Sequence, residues 1–98
     1  MQLKFNNQTL ILKDEFLIED FEIVKLPPVD LHKIAKGVVE PEDINLLVPW
    51  LHKFLKRMAN NPQTKEYINT LSLPNLFGLI KLPDFTNYLK TAIGADQV

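Results

Sequence analysis

The prolines decide most of what this chain can fold into. Proline lacks a backbone N–H and has a fixed φ, so it interrupts strands and enters helices mainly in their first turn. None occurs before Pro27; after that Pro27-Pro28, Pro41, Pro49, Pro62, Pro74 and Pro83 punctuate the chain. The pattern predicts β structure over residues 1–26, a helical region over 27–93 and a polar tail over 94–98, together one domain spanning 1–98.

In the first region, Leu3-Lys4-Phe5 alternates and Thr9-Leu10-Ile11-Leu12 follows, with Asn6-Asn7-Gln8 between them. Asparagine tolerates left-handed backbone angles, so a hairpin turn fits here. Glu15 to Ile18 and Phe21 to Leu26, separated by Glu19-Asp20, read as a second pair of strands. Leu17, Phe21 and Val24 also fit helical i, i+4, i+7 spacing, but the β-branched content favours strands.

After Pro27-Pro28, Val29 to Lys36 reads as a short helix with Leu31, Ile34 and Ala35 inward and Gly37 as its terminator. The clearest helix runs from Pro41 to Asn60. Glu42 and Asp43 stand at its start and Lys53, Lys56 and Arg57 near its end, as the helix dipole favours. Ile44, Leu47, Val48, Leu51, Phe54, Leu55 and Met58 form its apolar stripe. Pro49 predicts a kink or break near Val48. Thr64 to Leu71 adds a further short helix.

Leu73-Pro74-Asn75-Leu76 is echoed nine positions later by Leu82-Pro83-Asp84-Phe85. Nine residues are about 2.5 helical turns, so one continuous helix would put the two copies on opposite faces. It would also hold Pro83 in mid-helix, at a cost of about 3 kcal/mol. The echo therefore marks two helix starts. The fold class is α+β: an N-terminal antiparallel β-hairpin or small meander followed by four to five short helices.

Composition limits the chemistry. With 46% apolar and 23% charged residues the chain is expected to fold, and a net charge of −1 gives no global pull toward nucleic acid or anionic membrane. The absence of cysteine excludes disulfides, thiolate metal sites and cysteine nucleophiles. The three glycines are far apart, so there is no phosphate-binding loop; the single serine, Ser72, stands in no nucleophile motif. His32 and His52 each precede a lysine, which suits a polar helix edge better than a metal site. No catalytic residue, metal or cofactor is called for, and no small-molecule substrate is evident. No apolar run approaches a membrane span, and the N-terminus does not resemble a signal peptide, so a cytoplasmic location is expected.

Charge is uneven. Residues 1–30 carry three lysines against six acids, and residues 31–98 eight basic against six acidic residues. Asp14, Glu15, Glu19, Asp20 and Glu22 read as a solvated acidic face or sheet-edge protection. Lys53, Lys56, Arg57 and Lys65 form a modest basic patch, the basis of an alternative reading as a small helical nucleic-acid-binding protein.

Leu46 and Trp50 flank the main apolar stripe on a second strip of the same helix, beside Arg57. Either the helix packs on two sides, or this strip meets a partner, since Trp and Arg are enriched in binding hot spots. The apolar residues after Leu73 (Leu76, Phe77, Leu79, Phe85 and Tyr88) raise the same choice between core and interface. The candidate partner-binding set is thus Leu46, Trp50, Arg57, Leu76, Phe77, Phe85 and Tyr88.

The stretch "FEIVKLPPVDLHKIAKG", a strand leading through Pro27-Pro28 to Val29, Asp30, Leu31 and Gly37, resembles the start of small tail assembly chaperones of tailed phages. The resemblance covers residues 9–37; here Val29 and Asp30 are adjacent, without the usual spacing, and the later helices differ. It implies transient binding of an aggregation-prone tail protein without catalysis, and a virion-associated setting if the chain is of phage origin. The sequence as a whole points to non-catalytic protein–protein interaction or assembly, with a protein partner or self-association.

Overall fold

The computed structural model describes residues 1–30, 33, 36 and 40–93. Strands β1 (Gln2–Phe5) and β2 (Gln8–Ile11) pair antiparallel, with Leu3 opposite Leu10 and Phe5 opposite Gln8. Asn6 and Asn7 adopt φ of 49° and 62°, the positive angles a tight two-residue hairpin loop demands. The alternation then buries Leu3 and Leu10 on one face and leaves Lys4 and Thr9 in solvent.

Among the described residues five helices follow: α1 (Ile18–Val24), α2 (Pro41–Met58), α3 (Pro62–Asn69), α4 (Leu73–Ile80) and α5 (Pro83–Ile93). This is the expected small α+β fold. Four of the five helices have proline in the first turn, at Pro41, Pro62, Pro74 and Pro83. Side chains complete several starts. Asn61 Oδ1 accepts from the Thr64 amide at 2.8 Å, and Ser72 Oγ from the Asn75 amide at 3.3 Å. The Leu-Pro echo is therefore two helix starts, those of α4 and α5.

Helix α2 is the axis of the core. It buries Leu47, Trp50, Leu51, Phe54, Leu55 and Met58 against Leu3, Leu10 and Leu12 of the hairpin arm, Ile68 of α3, Leu76 and Leu79 of α4, and Phe85, Tyr88 and Leu89 of α5. The chain just after β2 is stitched to the corner beyond α2. Leu12 bridges Ala59, Lys13 N–H donates to the Met58 carbonyl at 2.7 Å, and Asn60 N–H donates to the Ile11 carbonyl at 2.8 Å. Thr64, buried in α3, accepts from the Ile11 amide at 3.0 Å through its hydroxyl. The outer edge of β2 is thereby covered.

Three expectations change. The second strand pair does not form: residues 18–24, inside the region read as β, are helix α1. A strand would send Asp20 and Val24 to the face opposite Phe21 and Ile23 but spread them along it, whereas one helical turn brings Asp20 and Val24 together against α2. Helix α2 does not break at Pro49 but runs continuously through it. Pro49 lies on the exposed side, where the carbonyl that loses its partner can meet water. Finally, the third short helix begins at Pro62, so Asn60-Asn61-Pro62 both ends α2 and starts α3. The reading of Val29 to Gly37 as a helix and its terminator falls largely outside the described residues, as does the tail 94–98.

Candidate interaction surface

Helix α1 carries its polarity inside out. Asp20 is fully buried, and its carboxylate is surrounded by donors: Lys13 Nζ at 2.9 and 2.8 Å, the Leu17 amide at 2.9 Å and Arg57 Nε at 2.6 Å. Burial by itself would raise the pKa of this group. The hydrogen bonds from Lys13, the Leu17 amide and Arg57 outweigh it and lower the pKa to about 2. The same contact raises the pKa of Arg57. Arg57 also reaches Glu19 at 3.5 Å. Beside this cluster, Tyr88 donates to the Lys13 carbonyl at 2.6 Å. Burial, then the charges of Asp14 and Asp20, push the Tyr88 phenol up.

Seven residues along α2 from Arg57, Trp50 holds the other end of α1. Its Nε1 donates to the Lys25 carbonyl at 3.0 Å, just past the helix, and its ring stacks on Phe54 at 4.9 Å. With Arg57 gripping the first turn of α1 and Trp50 its last, α1 runs antiparallel to α2 along the strip that Trp50 and Arg57 share. Of the two readings of that strip, a second packing side or a partner surface, Trp50 and Arg57 follow the first, and the occupant is the chain's own α1.

What α1 turns outward is apolar. Ile18 is 78% exposed, and Leu17 and Phe21 are 48% and 40% exposed. Ile18 and Phe21 are one turn apart, and Leu17 precedes Phe21 by four residues, so the three form one strip. Ile23, also exposed, lies on the other flank beyond Glu22. Two further exposed leucines lie near the end of α1 that Trp50 holds. Leu26, 57% exposed, follows the residue whose carbonyl holds Trp50, and Leu46, 55% exposed, stands one turn before Trp50 on the same side of α2. Glu15, Glu19 and Glu22 are exposed around the strip, and Lys25 Nζ lies 5.8 Å from the centre of the Phe21 ring.

The residues expected to bind a partner distribute differently. Trp50 is only 7% exposed, and Leu76, Phe85 and Tyr88 are buried in the same core, so these four are corrected to internal packing. Leu76, Phe85 and Tyr88 are buried because α4 and α5 close over α2, and Trp50 because the end of α1 covers it; Phe54 and Phe85 both pack near the Tyr88 ring, at 6.2 and 6.3 Å. Phe77 is half-buried, and Arg57 is occupied by Asp20 and Glu19. Of that set, Leu46 alone is widely exposed. In the basic group Lys53, Lys56 and Lys65 are exposed, but Arg57 already faces carboxylates. The acidic cluster is likewise not uniformly solvated, since Asp20 is its buried member. Its clue lies in two cations, Lys13 seven residues before it and Arg57 37 after it, which no local pattern ties to it.

A concavity of about 280 Å³ lies on the other flank of α2, lined by Val48, Pro49, His52, Leu71, Leu73 and Leu76 among others. His52 is half-buried there, while His32 falls outside the described residues. Among the described residues no three His, Asp or Glu side chains are placed to hold a metal ion, and no helix is long and apolar enough to cross a membrane. Compared with known proteins, the chain matches no family model, no curated protein and no solved structure.

Proposed function

We propose that this protein is a non-catalytic protein–protein interaction module that docks through the outward face of α1. The observation that carries this reading is the inversion of α1: it buries a carboxylate and leaves Leu17, Ile18 and Phe21 in water. A helix that served only to cover the core would do the reverse. With Leu26 and Leu46 the exposed apolar area is on the order of a few hundred Å², the size at which a patch on a small protein marks a contact site. The docking residues are then Leu17, Ile18, Phe21, Leu26 and Leu46. A role in phage tail assembly is the narrower form of this reading and rests on the resemblance of residues 9–37 alone; the Phe21–Val24 part of that stretch is helix, not the strand from which the resemblance starts.

Ile18→Asp tests the reading. Ile18 makes the smallest contribution to the interior of any residue in the strip, so the variant keeps its helical circular dichroism and melts within a few degrees of the parent. Capture from native lysate, followed by light-scattering mass, is expected to show a complex larger than the 11.3 kDa chain with the parent and none with Ile18→Asp. A parent that stays monomeric and captures nothing, or a complex unaffected by Ile18→Asp, overturns it.

A further inference from the structure

Resting on that docking surface, we infer that its partner is a basic amphipathic segment of another protein, with an apolar face bordered by lysine or arginine, and not a second copy of this chain. Charge around the strip is the ground for this. Residues 14–24 contain five acids and no lysine or arginine. Asp20 is the one of these five turned inward, and it absorbs the two nearest cations, Lys13 and Arg57. Glu15, Glu19 and Glu22 remain at the surface beside Leu17, Ile18 and Phe21; Glu19 also meets Arg57 at 3.5 Å, and Asp14 is paired with the N-terminal ammonium at 2.8 Å. The fold thus turns Lys13 and Arg57 underneath α1, and the outer border carries Glu15, Glu19 and Glu22 against one cation on the strip, Lys25 beside Phe21.

An isologous dimer places each patch against itself. Across the α1 face it would set the three exposed glutamates of one copy against the same rim of the other, with Lys25 offsetting only part of that charge, a like-charge contact that opposes association. Phosphate backbones and anionic lipid surfaces are repelled by the same rim. A helix or strand with apolar residues for the centre and cations for the border satisfies both parts of the surface. The exposed apolar area is smaller than the roughly 800 Å² per partner of a stable interface, so the acidic residues must form part of the contact as its rim.

Two synthetic amphipathic helices test this on the full chain. Both carry the same leucine face; one has lysine on its polar face and the other glutamate. Binding is read by fluorescence anisotropy of a dye on the peptide. The lysine peptide is expected to bind at least about tenfold more tightly than the glutamate peptide. Its association rate is expected to fall about tenfold between about 0.05 M and about 0.5 M salt. Glu15→Gln combined with Glu22→Gln is expected to shrink the preference, and Ile18→Asp to abolish binding of the lysine peptide. Equal binding of the two peptides, or preference for the glutamate form, with loss in Ile18→Asp, overturns the basic partner and leaves the docking surface standing. Binding of the lysine peptide that survives Ile18→Asp is bulk charge attraction and overturns the inference. If neither peptide binds, the inference falls, and the lysate capture comparison decides separately whether the docking surface falls with it.

Discussion

Asp20 holds α1 by charge, and its replacement by asparagine keeps the shape while removing that charge. Its carboxylate is buried, but the side chains of Lys13 and Arg57 are 29% and 31% exposed and recover part of their hydration when released. The loss is therefore expected below the 3–5 kcal/mol typical of a broken buried pair, at about 2 kcal/mol by urea denaturation at neutral pH. The pH dependence has a definite sign. A folded-state pKa of about 2 lies below the ordinary aspartate value, so the unfolded chain takes up the proton first. The stabilisation from Asp20 is complete above about pH 4 and is lost as pH falls toward about 2. Denaturation midpoints of Asp20→Asn are expected to decline less steeply over that window than those of the parent. Equal slopes would mean that Asp20 is not the group that titrates.

At the scale of elements, prolines located the helix starts because their effect is local: a missing N–H is no loss in a first turn. For the same reason Asn6-Asn7 disclosed the hairpin. Helix α1 was harder to read. Its strand and helix patterns overlap over seven residues, and what selects the helix is Arg57, 37 positions after Asp20. The exposed strip was hidden for a related reason: Leu17 and Phe21 look like the inward face until the buried carboxylate shows which way the helix is turned. The core–interface choice at Trp50, Leu76, Phe85 and Tyr88 likewise depends on how α1, α4 and α5 close over α2, which no local spacing encodes. Pro49 offers a test at this scale. Helix α2 passes through it unbroken and exposes it, so Pro49→Ala restores one helical hydrogen bond and removes a poor helix former. Thermal unfolding is expected to show a gain of about 1–3 kcal/mol. A neutral or unfavourable result would mean that the packing of α2 requires the bend a proline imposes.

For the molecule as a whole, the connection between hairpin and helices is made at few places, and Thr64 is central to one of them. Its hydroxyl satisfies the Ile11 amide on the edge of β2 while its own amide is capped by Asn61. Thr64→Val keeps the volume and leaves that part-buried amide without its partner, with an expected loss of about 1 kcal/mol in denaturant unfolding. Hydrogen exchange at Ile11 is expected to quicken in the same variant. If neither changes, Leu3, Leu10 and Leu12 together with the backbone bonds to Met58 and Asn60 hold the hairpin without help from Thr64.

The inversion of α1 also bears on how the molecule comes apart. Most of this protein is held by oil-like contacts, which salt strengthens or leaves alone. Its outermost helix is fastened by an ionic clasp and one indole hydrogen bond, with Val24 as its only fully buried apolar anchor. Ionic strength therefore acts on the two attachments in opposite directions. In brine the body tightens while the clasp slackens, by less than an exposed pair would because the carboxylate at its centre is buried.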